Sequence, residues 1–308
     1  MPGGGTIRFW REKLAGYKKY HQIVKTIKMV TLAKYRQTVV RTKIRDETLR
    51  YTRKVLDDVT VEEEDAIAKA EKLLYLPLMT NRGSCGALNS NMVRYLQEIE
   101  SPKMSILSIG KKGMDTLSKV MPDVWERGIM NDMKQAMSFQ FAAYVVDHIK
   151  SFEWDRCQII FNRYHAASSQ KLAVFNIPTF ETWRARLEDE SAGEGKIEEE
   201  GLLQSLPMKT ALGEHEEGTL EDFYDFHTAL AVLNAASENE LSEYAARIIA
   251  VENQLGNITG LMQLADYTYN KTRKELITAE LLEIIGTMTA MNAGKKSGLK
   301  KGEFWAEA

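Results

Sequence analysis

The chain has 308 residues, 44% of them hydrophobic and 27% charged, and its 41 basic and 43 acidic side chains leave a formal charge of -2. That balance excludes a globally basic nucleic-acid binder, and no apolar run of 18 or more residues reads as a membrane span. Two cysteines, Cys85 and Cys157, exclude a disulfide framework and suit a reducing compartment.

Met1-Pro2-Gly3-Gly4-Gly5 reads as a flexible lead-in. The basic continuation overlaps in composition with a mitochondrial address, without a readable cleavage signal. Residues 7 to about 57 read as a long helix, and 1–60 as the first domain. Ile7, Trp10, Leu14, Tyr17, His21 and Val24 follow a 3-4 alternation, and Ile27, Val30 and Ala33 continue it with a shift of register. Before Asp46 the only acidic residue is Glu12, so i,i+4 pairing cannot balance the basic residues of this helix. Lys25, Lys28, Lys34 and Arg36 form a basic face. It is either a solvated face or one that meets an acidic partner. Aromatic interleaving is sparse and no nucleic-acid recognition motif is present.

From 61 to 187 the hydrophobic period changes. Leu73 to Thr80 is a short apolar run ending in a Gly-rich turn, Asn81-Arg82-Gly83-Ser84-Cys85-Gly86. A helix follows near Asn89 to Ile99, then a strand at 104–109, then Gly110-Lys111-Lys112-Gly113 and a second helix. Residues 136–150 read as a third helix, and 157–162 and 171–177 as strands. This alternation predicts a Rossmann-like α/β domain with a small, largely parallel sheet, inserted between the terminal helices. Residues 188–218 read as an acidic linker.

The last long helix spans 219–292. Leu241, Ile248, Leu255, Met262, Tyr269 and Leu276 interleave with Tyr244, Val251, Ile258, Ala265, Thr272 and Ala279, which is the a/d seam of a coiled coil. After Leu276 the apolar set widens to include Ile277, Leu281, Ile284, Ile285, Met288 and Met291. A helix apolar nearly all round needs a surrounding sleeve, so this tip is expected to insert into one made of protein. Residues 293–308, basic and broken by glycine, read as a loose tail. Two long helices at opposite ends of the chain, each with a seam, are expected to pair with each other as an antiparallel coiled-coil shaft. The fold class is α/β plus long coiled coil.

The motifs of chemistry are missing. Neither the turn at Arg82, Gly83, Cys85 and Gly86 nor Gly110-Lys111-Lys112-Gly113 matches a phosphate-binding loop, and a tight turn is the default for both. Cys85 reads as a buried structural thiol. The five histidines show no metal spacing. No catalytic, cofactor or metal constellation is expected. The residues alone leave three readings open: a mechanical part, an enzyme using Gly83 to Asn89 as a ligand loop, and a coiled-coil scaffold or nucleic-acid tether.

Four segments, in order, carry a resemblance. Tyr267 to Ile285, with Tyr269-Asn270, Arg273-Lys274, Ile277-Thr278 and Glu280-Leu281, resembles the C-terminal signature of the gamma subunit of F-type ATP synthases. Ile23 to Lys34, Thr80 to Asn91 and Ser242 to Ile248 are similar to three further segments of that family. The resemblance implies a central-stalk rotor without an active site of its own, a non-catalytic subunit turning inside a ring of alpha and beta subunits. It implies a foot domain resting with a small epsilon/delta-type subunit on the c-ring, no nucleic acid, and no membrane span of its own. It implies that Arg273, Lys274, Thr278 and Glu280 contact a beta subunit, with Lys274 standing where the family carries Gln. It implies that 276–291 is an apolar bearing, and it places the chain peripherally on the matrix side of the mitochondrial inner membrane or, alternatively, on the cytoplasmic side of a bacterial plasma membrane.

Overall fold

A computed structural model describes residues 6–48, 71–130, 137–166, 169–184 and 217–303. The predicted continuation of the first helix to about 57 and nearly all of the acidic linker lie outside them. In chain order the elements are α1 (Ile7–Thr48), β1 (Leu73–Pro77), α2 (Leu88–Glu98), β2 (Met104–Ile109), α3 (Lys111–Val120), β3 (Trp125–Ile129), α4 (Phe139–Lys150), β4 (Arg156–Ala166), β5 (Ser169–Ile177) and α5 (Glu217–Glu303).

The five-stranded sheet has the order β3-β2-β1-β4-β5. β1 pairs in parallel with β2 and with β4, β2 pairs in parallel with β3, and β5 returns antiparallel to β4. Side chains alternate between the two faces, as the pleat requires. Leu74, Leu76, Cys157, Ile159 and Phe161 pack with Ala142, Val145, Val146 and Ile149 of α4 and with Tyr224, Val232 and Leu233 of α5. Tyr75, Ile106 and Ile160 pack on the other face with Met92 and Leu96 of α2 and Leu117 of α3. The domain is therefore an α/β/α sandwich in which α5 supplies part of one helical layer.

Local chemistry sets the boundaries. Ser138 caps α4, its hydroxyl accepting from Phe141 N at 3.2 Å. At the turn from β2 into α3, Gly110 has φ 99°, and a Cβ there would lie 2.1 Å from Met79 O. Only glycine allows β1 and that turn to approach so closely. At the start of β1, Asp155 Oδ2 accepts from Glu71 N at 2.8 Å and Lys72 N at 2.9 Å, and these bonds hold its carboxyl below the usual carboxylate range.

The strand β3 was not expected. Trp125-Glu126-Arg127-Gly128-Ile129 is an edge strand with two exposed charges, and its polar pattern hides it. The end of α5 also differs from expectation: the helix continues through Gly294 and Gly298 to Glu303 instead of ending near Met291. Each glycine weakens a helix by about 1 kcal/mol relative to Ala but keeps its backbone N–H, and no proline intervenes.

By contacts, the chain forms two compact units, Lys28–Val251 and the pair Met1–Ile27 with Glu252–Ala308. The second unit joins the start of α1 to the far part of α5. In the first unit, Arg41 of α1 meets Glu240 of α5 at 3.3 Å. Each unit thus holds a part of α1 and a part of α5.

Candidate functional site

The strand order reverses between β1 and β4, and in open α/β sheets ligands bind at the carboxyl ends of the strands beside such a switch point. Here that place is filled by the chain itself. Leu78 N donates to Ile160 O at 2.8 Å as β1 ends. Two residues further along β4, Asn162 is buried, and its backbone N and Nδ2 both donate to Asn239 Oδ1 of α5, at 3.0 and 3.1 Å. Ser242 Oγ donates to Asn162 O at 2.7 Å. One turn on, Ala246 packs with Cys85 and Leu88, while Arg247 pairs with Glu243 and its Nε lies 3.5 Å from Gly83 O.

The backbone donors a phosphate would need are likewise engaged. Lys111 N donates to Asn81 Oδ1 at 2.9 Å and Lys112 N to Thr80 O at 3.0 Å, both at the start of α3. In the turn before α2, Ser84 and Gly86 both have φ 62°, Arg82 and Gly83 are exposed, and Cys85 is buried. Asn89 Nδ2 donates to Thr80 Oγ1 at 2.7 Å, and Cys85 Sγ lies 3.4 Å from the same nitrogen. The turn is a structural corner tied to its neighbours. This geometry gives no support to the ligand-loop reading.

The other residues singled out from the sequence lie on the helices. On α5 the seam holds as expected: Val251, Ile258 and Ala265 are buried, and Ile248, Leu255, Met262, Tyr269 and Thr272 are half-buried. From Arg273 to Ala293 every residue is exposed, so Leu276 and Ala279 fall outside the covered seam. Within that stretch Leu276, Ile277, Leu281, Ile284, Ile285, Met288 and Met291 are 44–67% exposed. Arg273, Lys274, Thr278 and Glu280 are exposed on the same stretch, with Thr278 Oγ1 donating back to Lys274 O at 2.9 Å. Among the described residues no helix is long and apolar enough to cross a membrane.

On α1 the seam needs a correction. Ile7, Trp10, Leu14, Tyr17 and His21 are half-buried and Val24 is buried, as expected. Beyond Val24 the register does not shift. The covered positions at that spacing are Lys28, Thr31, Tyr35, Thr38 and Thr42, with Leu32, Lys34, Val39 and Arg41 half-buried beside them, while Ile27, Val30 and Ala33 are exposed. The 3-4 spacing persists, but polar residues occupy it. Thr38 Oγ1 is satisfied by Arg41 Nη2 at 3.0 Å, and Thr42 Oγ1 donates to Thr38 O at 2.9 Å. Apolar identity pointed to one face and packing uses another. Of the predicted basic face, Lys25 and Arg36 are exposed, whereas Lys28 and Lys34 are half-buried because they lie at or beside the covered stripe.

Sequence reasoning found the exposed tip and missed the polar cluster at 162 and 239–242. Single Asn and Ser residues carry no motif, and only the meeting of β4 with α5 reveals them.

A family model described as ATP synthase matches residues 6–291. The mitochondrial ATP synthase subunit gamma of Trypanosoma brucei brucei is 44% identical over 306 residues, covering 99% of this chain and 98% of that protein. A chain in the cryo-EM structure of the Euglena gracilis mitochondrial ATP synthase (OSCP/F1/c-ring, rotational state 3) is 76% identical with a TM-score of 0.84, over 96% of this chain and 97% of that one. A chain of the rotor of the same enzyme in rotational state 1 is 75% identical with a TM-score of 0.78, over 89% of this chain and 100% of that one. The scaffold or nucleic-acid tether reading falls away on this ground. The chain belongs to the gamma-subunit family of ATP synthases.

Proposed function

We infer that this chain is the central-stalk rotor subunit of a proton-translocating F-type ATP synthase, turning with a c-ring and driving conformational change in a ring of alpha and beta subunits. The observation that carries it is the change along α5, from a seam covered through Thr272 to a helix exposed on every side from Arg273 to Ala293. A shaft acts as a ligand whose contacts differ between the conformations of its partners, so its angle sets their populations. Moving one partner from 1:99 to 99:1 takes about 5.5 kcal/mol, which corresponds to exchanging roughly 220 Å² of apolar contact at about 25 cal/mol per Å². Four or five half-exposed Leu, Ile and Met side chains supply that area.

The chain carries no catalytic role in this reading; chemistry belongs to the beta subunits. Arg273 and Lys274 face an acidic loop there, with Arg273 forking to a carboxylate and Thr278 and Glu280 one turn further on. Lys25, Lys28, Lys34 and Arg36 face acidic partner surface, and 276–291 runs in an apolar bearing. The turn at Arg82, Gly83, Cys85 and Gly86 belongs to the foot, which meets the c-ring and an epsilon/delta-type subunit. The mitochondrial relatives support a peripheral mitochondrial location, and we assign the matrix side of the inner membrane.

The test is the composition and ATPase activity of the assembly that co-purifies with the chain. One copy beside three alpha and three beta subunits in an active ATPase is the expected result. A free chain or homodimer from undisturbed material would overturn the reading.

A further inference from the structure

Three consecutive residues of β4 reach both terminal helices. Asn162 makes its three bonds to Asn239 and Ser242 of α5. Arg163 Nε lies 3.1 Å from Glu238 Oε2, also on α5. The Tyr164 hydroxyl is 2.9 Å from that of Tyr35 on α1, with ring centroids 6.5 Å apart. Burial, and then the bond to Tyr164, push the Tyr35 hydroxyl up to about 12, so that contact stays a neutral hydrogen bond at physiological pH. The third side is closed by Arg41 of α1, which donates to Glu240 of α5 at 3.3 and 3.4 Å.

We propose that this closed triangle of β4, α1 and α5 is the torque joint of the rotor, the place where rotation of the α/β domain is handed to both helices together. The proposal rests on the rotor reading above. Apolar contact is non-directional and resists sliding weakly. Hydrogen bonds weaken steeply when their angles are distorted, so they fix register as well as proximity. Two elements joined along one side can hinge. Three elements joined along three sides cannot shear without breaking a side. The buried members, Asn162, Asn239 and Ser242, are mutually satisfied, which is the condition under which a polar network specifies one arrangement. The joint also occupies the switch-point crevice, so the place where related sheets hold a ligand here holds the shaft.

The residues named are positioning residues, and stiffness is the readout that separates them from a merely structural role. In the assembled ATP synthase, the ring is immobilised and locked with a non-hydrolysable nucleotide, and the angular fluctuation of a probe on the α/β domain is recorded. Asn239→Leu removes the shared acceptor, and Asn239→Asp keeps an accepting oxygen in the same place. The angular variance should rise by roughly twofold or more in Asn239→Leu and stay near wild type in Asn239→Asp. Tyr35→Phe, which opens a different side of the triangle, should soften the shaft as well.

An unchanged variance in Asn239→Leu overturns the joint, and so does equal softening by Leu and Asp, which would point to packing alone. Should Asn239→Leu fail to assemble, Ser242→Ala deletes one oxygen and carries the same measurement. A wild-type complex that rotates, with variants equally stiff, refutes the joint and leaves the rotor reading standing. A wild-type chain that joins no ring refutes the rotor reading itself.

Discussion

The exposed tip permits a prediction in which one double substitution has opposite consequences for the chain and for its assembly. Ile284 and Ile285 are 56% and 55% exposed. Full burial of an isoleucine side chain contributes about 1.5–3 kcal/mol, so covering the exposed half of each contributes about 1 kcal/mol. Ile284→Ser with Ile285→Ser should therefore weaken association with the ring by about 2 kcal/mol, roughly 25-fold at 1.4 kcal/mol per decade. In the isolated chain these side chains meet no packed neighbour, and Ile and Ser have similar helix propensities, so its stability should move by no more than about 0.5 kcal/mol. Thermal unfolding of the isolated variant and its release from the ring on dilution measure the two quantities. A large drop in Tm of the isolated chain, or release no faster than wild type, would refute the bearing.

Three other expectations are sharp. Gly110→Ala meets Met79 O at 2.1 Å with φ 99°, whereas Gly86→Ala at φ 62° meets nothing within 4 Å; urea unfolding should show a loss of about 3 kcal/mol or more for the first and about 1–2 for the second, and equal losses would contradict the geometry. His227 is buried against Trp183, its Nε2 has no hydrogen-bond partner among the described residues, and burial lowers its pKa. Below about pH 6.5 the unfolded chain therefore takes up a proton that the folded one resists. Stability should fall as pH drops from 7 to 5, and His227→Phe should flatten that slope; identical slopes would remove His227 as the cause. Arg273→Glu, at an exposed position, should leave the Tm of the chain unchanged and reduce ATP-driven proton pumping several-fold; normal ATP synthesis by that variant would count against the predicted beta-subunit contact.

Much of this architecture was legible because hydrophobic periodicity is strong in long helices and short buried strands. The seam of α5 and four of the five strands follow from it directly. What escaped did so for particular reasons. Beyond Val24 the apolar pattern selected Ile27 and Val30, but packing covers Lys28 and Thr31; periodicity reports where apolar residues lie, and it cannot say which stripe of a long helix turns toward its own chain. β3 carries Glu126 and Arg127 because an edge strand tolerates, and benefits from, charge. The glycines near Gly294 read as a stop because they weaken a helix, yet they do not break its hydrogen bonds. Asn162, Asn239 and Ser242 are ordinary polar residues, the first standing 77 positions before the second and 80 before the third, and their meaning appears only when β4 and α5 meet.

The division of the chain into units also bears on how it is made. One compact unit draws its residues from the two extremities, Met1–Ile27 and Glu252–Ala308. During synthesis α1 emerges long before α5, so the part of its covered stripe that precedes Lys28 has no partner in this unit until translation is nearly finished. The sheet strands, adjacent in sequence, can pair well before that, although α5 still has to complete one of their helical layers. Closing so long a loop is a late step, because contacts distant in sequence repay their entropy only when both ends exist. A nascent chain stopped anywhere before residue 252 would display Trp10, Leu14, Tyr17 and Val24 uncovered.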